Sequence, residues 1–126
     1  MKAWLLCLAG MVCFIIAAAM VQSNLEKTTR HFGRELTVVE KALQARDWPK
    51  TQRSLEKLAN GWERAKFIWA LLLNHKEIDA IEQSLTRSKK AVDGRSYTDA
   101  AIELGSLRYF LKHVPQRERL DWVNIF

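Results

Sequence analysis

The stretch LANGWERAKFIWALLLNHKEIDA, residues 58–80, carries the reading on which the fold turns. Its apolar positions Leu58, Trp62, Ala65, Trp69, Leu72 and Leu73 recur at helical spacing. The dipeptide Asn60-Gly61 interrupts the pattern and can end one helix and start another. Helical spacing then resumes through Ile78, Ile81, Leu85 and Val92. Either the chain breaks near Gly61, or one helix of more than forty residues runs through the glycine. Geometry favours the break. The outer part of the preceding helix, 22 residues long, reaches about 33 Å at 1.5 Å per residue, and a returning helix twice that length would overrun its base.

That base is set by residues 3–21, AWLLCLAGMVCFIIAAAMV, which contain no charge. As a helix they extend roughly 28 Å, close to the hydrocarbon thickness of a bilayer. A core helix normally keeps a polar face, and this one has none. Residues 1–23 therefore read as a transmembrane anchor. The alternative is a signal peptide, since Ala17 and Ala19 offer a small-x-small cleavage site. The run is long for a signal peptide, and its charged lead is only Met1-Lys2. So short a lead favours a cytoplasmic N-terminus with residues 24–126 outside the cytoplasm. Lys27, Arg30 and Arg34 count the other way under the positive-inside rule. Ala9, Cys13 and Ala17 form a stripe of small residues that could pair two spans, although an alanine-rich helix produces such stripes by chance.

Both cysteines lie in the apolar run, so residues 24–126 hold neither a disulfide nor a thiolate zinc site. The chain of 126 residues has 20 Lys and Arg against 14 Asp and Glu, a formal net charge of +6. Only Lys2 of these lies before residue 24. The excess suits a domain beside anionic lipid. It could also suit nucleic acid, but nothing supports that, because the basic residues are dispersed among acids with no run longer than Lys89-Lys90.

Outside the anchor the pattern predicts an all-α, antiparallel helical bundle. Leu25, Phe32, Leu36, Val39 and Leu43 continue the first helix outward, and ARDWPK ends it. Asp47 is a capping residue for the next helix, with Pro49 in its first turn. Gly94 is a C-terminal cap. Ser96 and Asp99 approximate a capping box for a last helix that Pro115 ends. The terminal LDWVNIF, with Leu120, Trp122 and Ile125, is predicted to dock back. Core positions include Trp62, Trp69, Ile78, Ile81, Leu104 and Leu107. An internal similarity recurs at an offset of 49 residues: Trp48, Leu55, Leu58 and Trp62 match Tyr97, Leu104, Leu107 and Leu111. It fits two helical-hairpin repeats or two similar helices in one bundle.

The span, Trp48, LEKLANGWERAKFIWALLLNHKEIDAIEQSLTRS, LGSLRYFLKHV and the closing Asn124-Ile125 resemble a bacterial family, domain of unknown function four-three-six-three. The resemblance covers essentially the whole chain. It implies one membrane segment and an α-helical remainder, and no activity.

One cluster could carry chemistry. On a helix His75, Asp79 and Glu82 share a face, a spacing that could offer three ligands to a metal or an acid–base site. A single helix rarely completes such a site, and His31 or His113 would have to be brought near by folding. The simpler reading makes Asn74 and His75 polar register residues. Asn74 would extend the apolar stripe of Phe67, Ile78, Ile81 and Leu85, its amide bonding across the bundle. Losing a buried partner there costs roughly 1–3 kcal/mol. The expectation is therefore a non-enzymatic, cofactor-free envelope protein that contacts membrane lipid and a protein partner. The alternatives are a metal or enzymatic domain on the His75/Asp79/Glu82 face, or a binder of anionic lipid or envelope polymer. The anchor reading is checked by carbonate washing of membranes. The protein should stay in the membrane fraction at full-length mass, and release of a soluble product beginning at Met20 would contradict it.

Overall fold

Residues 3–21 lack a polar face and residues 25–43 carry one apolar stripe, so a single helix can serve both environments. It does. The computed structural model describes residues 2–125, and the side chains of residues 2–113. In it α1 runs unbroken over Ala3–Gln44, about 63 Å. The first half is exposed on all sides, and Leu25, Phe32, Leu36, Val39 and Leu43 of the second half are buried. One helix of the described residues, this one, is long and apolar enough to cross a membrane.

Three further helices follow: α2 (Trp48–Leu72), α3 (His75–Asp93) and α4 (Tyr97–Ile125). Consecutive helices pack together and α4 closes against α1, while the backbones of the diagonal pairs do not come close among the described residues. The result is a closed up-down-up-down bundle around the outer half of α1. Arg108 ties the closing pair. Its Nε and Nη2 donate to Glu40 Oε1 and Oε2 at 3.0 and 3.1 Å, and Nη2 also donates to Thr37 Oγ1 at 2.9 Å.

The first and third turns are built alike, 49 residues apart. Each closes with a six-residue main-chain bond and a four-residue one nested inside it, the Schellman arrangement. Asp47 N donates to Ala42 O and Ser96 N to Ala91 O; Arg46 N donates to Leu43 O and Arg95 N to Val92 O. The left-handed residue is Arg46 (φ 54°) in one and Arg95 (φ 51°) in the other. Gly94 caps α3 with φ −78°, so the unusual backbone falls on the residue after it. Asp47 Oδ1 accepts from Lys50 N, and Ser96 Oγ bonds Asp99 Oδ2 at 2.7 Å. The guanidinium of Arg46 lies 4.4 Å from the Tyr97 ring centroid and links the two turns. The residues of the internal similarity take equivalent places, with Leu55, Leu58, Trp62, Leu104, Leu107 and Leu111 all buried. They face one closed core rather than an open stack of repeats.

Two expectations are corrected. The chain does not break at Asn60-Gly61, because α2 passes straight through it. A glycine inside a helix costs only about 1 kcal/mol, and here it has a packing reason. A Cβ on Gly61 would stand 3.2 Å from Phe32 Cε1, so the missing side chain lets α2 lie close on α1. The length objection fails because α2 stops at Leu72 instead of running on to α3. Nor does Pro115 end α4, which continues to Ile125. Proline removes one main-chain donor and bends a helix without necessarily ending it. The docking expected of Leu120, Trp122 and Ile125 lies outside the described side chains. The boundary at residue 23 coincides with no structural break, since it falls inside α1.

The glycines separate packing from propensity. Nothing lies within 4 Å of a Cβ at Gly105, so Gly105→Ala should stabilise the bundle by about 0.5–1 kcal/mol. Gly61→Leu should destabilise it by about 1–3 kcal/mol through overpacking against Phe32. Thermal unfolding of the full chain in detergent measures both, and a neutral Gly61→Leu would contradict the close approach.

Candidate functional site

The corner between α2 and α3 holds the residues singled out from the sequence. Leu73 is extended (φ −114°, ψ 158°) and buried, and Asn74 is also extended (φ −64°, ψ 140°). Two extended residues suffice to reverse the chain. Asn74 Oδ1 accepts from Lys76 N at 3.1 Å, which makes Asn74 the N-cap of α3. Glu77 occupies the first turn, where a carboxylate faces the positive end of the helix dipole.

This overturns the register role given to Asn74 and His75. Both are exposed. Asn74 bonds its own helix start, not a neighbouring helix, and His75 is the first residue of α3. The supposed stripe joining Phe67 to Ile78, Ile81 and Leu85 also dissolves. Phe67 lies on the other side of the corner, 73% exposed, whereas Ile78, Ile81 and Leu85 are buried.

His75, Asp79 and Glu82 are not drawn into one site. No three His, Cys, Asp or Glu side chains gather with metal-binding geometry among the described residues. Glu82 Oε1 instead meets Lys66 Nζ at 2.6 Å across α2 and α3. The hydrogen bond to Glu82 raises the Lys66 pKa above its ordinary value. His31 Nε2 pairs with Glu35 at 3.2 Å along α1. The His113 ring stacks on Tyr109 at 4.1 Å. Neither histidine approaches His75 to complete a ligand set.

Aromatic packing, not polar chemistry, dominates the inner side of the corner. Trp62 and Trp69 meet edge to face with centroids 5.2 Å apart, and Phe32 of α1 packs against them at 6.3 and 6.0 Å. Trp62 and Trp69 are 3% and 2% exposed, so they are core rather than an open ligand cage. The outer side of the corner differs. Phe67, Ile68 and Leu71 are exposed. Beside them a groove of about 340 Å³, lined by Val21, Leu25, Ile68, Trp69 and Leu72 among others, opens between α1 and α2. Sequence reasoning missed this surface. Its signal was charge: residues 67–75 form the longest uncharged stretch beyond the apolar half of α1.

The family model described as a domain of unknown function, DUF4363, matches residues 19–125. The chain belongs to the DUF4363 family. No curated protein and no solved structure matches it. The match begins near the end of the uncharged run and takes in the whole four-helix bundle.

The capping role of Asn74 separates the structural account from a metal site. Asn74→Ala should destabilise the protein by about 0.5–2 kcal/mol, equally with EDTA or with zinc. Asp79→Asn should leave the unfolding temperature unchanged. A zinc-dependent rise in that temperature, abolished by His75→Ala, would contradict this reading.

Proposed function

We propose that this chain is a single-pass membrane protein whose helical bundle works by docking an envelope protein, without catalysis and without a cofactor. The observation that carries the proposal is the continuity of α1 over Ala3–Gln44. An apolar half that nothing in the bundle covers runs directly into a half that four-helix packing encloses. No flexible linker intervenes, so the bundle is presented at a fixed height and angle to whatever holds the apolar half. Rigid presentation suits recognition of a neighbour in or beside the same membrane. A tethered enzyme acting on diffusing substrates has no need of it.

The composition of the polar residues supports the same reading. Two of the ion pairs join helices, Arg108 with Glu40 and Lys66 with Glu82, and hold the shape of the bundle. In this proposal residues 24–126 lie outside the cytoplasm, with Lys2 on the inner side of the span.

Affinity purification from native membranes tests the docking role. The comparison is between the full chain and a chimera in which an unrelated helical bundle replaces residues 24–126 on the same span. One envelope protein should be enriched with the full chain and absent from the chimera. Equal enrichment with both would assign the association to the span alone and contradict docking by the bundle.

A further inference from the structure

We propose that the α2–α3 corner forms a second membrane contact, in which Phe67, Ile68 and Leu71 enter the lipid surface beside the span. The inference rests on the membrane-anchored reading above and adds where the bundle itself meets the bilayer.

Height along the bundle is the first argument. The turn at residues 45–47 joins α1 and α2 as antiparallel neighbours. The 25 residues of α2 descend about 38 Å from it. Measured down α1 from Gln44, the same distance ends near the last residues of the uncharged run. The lining of the groove agrees, for Val21 and Leu25 of α1 stand beside Ile68, Leu71 and Leu72 of α2. The last turn of α2 therefore sits level with the exit of the span from the hydrocarbon.

Exposure is the second argument. Phe67 is 73% exposed, Ile68 60% and Leu71 73%. Large apolar side chains so exposed and so close together on a small protein mark an interaction surface. Ile68 and Leu71 line the groove together with the exposed Val21 of α1, so the corner extends the apolar surface of the span instead of forming a separate patch. That continuity identifies the occupant as lipid.

Charge is the third argument. Residues 3–25 of α1 and 67–75 at the corner are free of Asp, Glu, Lys and Arg. The two uncharged stretches are the ones that lie side by side at this height. The charged residues that bound them, Glu26 and Lys27 on α1 and Lys66 and Lys76 about the corner, occupy positions suited to the head-group layer, where long basic side chains extend to water. Aromatic and aliphatic residues buried at the acyl boundary below a polar rim describe an interfacial contact.

Site-directed spin labelling of the full chain in phosphatidylcholine/phosphatidylglycerol vesicles tests the contact. Cys7→Ala and Cys13→Ala remove the native thiols. Single cysteines are then placed at Phe67, Leu71, Ile15 in the span and Lys57 on the exposed face of α2. Collision rates with oxygen, which partitions into lipid, are compared with those of a water-soluble nickel chelate. Labels at Ile15, Phe67 and Leu71 should favour oxygen several-fold, and the label at Lys57 should favour nickel. A lipid-like Ile15 with water-like Phe67 and Leu71 would overturn the corner contact and leave the anchor standing. A water-like Ile15 would overturn the anchored reading as well. Low accessibility to both reagents at Phe67 and Leu71 would reveal a second copy on the corner, and would also overturn the lipid assignment.

Discussion

The architecture depends on how Phe32, Trp62 and Trp69 seat α2 on α1. Edge-to-face aromatic contacts of this kind add about 0.5–1.5 kcal/mol each beyond the burial of their surface. Their position matters as much as their strength. They lie toward the end of the bundle where α1 leaves its partners and continues alone. Gly61 is part of the same contact, because a Cβ there would stand 3.2 Å from the Phe32 ring and push it back. With α2 seated, Leu73 reaches the core and Asn74 can turn the chain into α3. The Arg108 fork on Glu40 and Thr37 then closes α4 against the helix that began the bundle.

The two equivalent turns are at the opposite end. Each places an arginine where glycine would be easier. Arg46 uses the position to lie over Tyr97, the first residue of α4. A local cost in backbone strain thus supports a contact between hairpins. Gln52, which donates to Asp93 at 3.2 Å, joins α2 to the end of α3 in the same region. Aromatic contacts gather at the end where α1 continues alone, while at the other end polar and cation–π contacts flank the aliphatic core of Val39, Leu43, Leu55, Val92 and Leu104. This division fits a bundle with one end beside an apolar phase.

Much of this was legible in the chain. The 3.6-residue stripe from Leu25 to Leu43 marked the buried face of α1, and the cap signals at Asp47 and Ser96 marked the starts of α2 and α4. These signals are local, carried by residues within one helical turn. The misreadings came where a tertiary contact gave a local signal another meaning. Gly61 reads as punctuation until Phe32 is seen against it. Asn74 reads as a polar group on an apolar stripe until the stripe is seen to be two helices. Pro115 reads as a stop, although α4 continues past it. Of the candidate site, the alignment of His75, Asp79 and Glu82 on one helix was legible. The engagement of Glu82 by Lys66 was not, since it depends on the packing of α3 against α2. The exposed corner was missed because apolar residues at helical spacing look alike whether they face a core or a lipid surface.

The seat itself is open to direct measurement. Urea unfolding of the full-length protein in detergent, followed by circular dichroism, compares the unchanged chain with Trp69→Ala. Removing a buried aromatic of this size should cost about 3–5 kcal/mol, a large part of the stability of a domain this small. A marked fall in the unfolding midpoint, or loss of the folded state, is the expected result. A midpoint equal to that of the unchanged protein would show that the bundle stands without the contact between α1 and α2 on which this account rests.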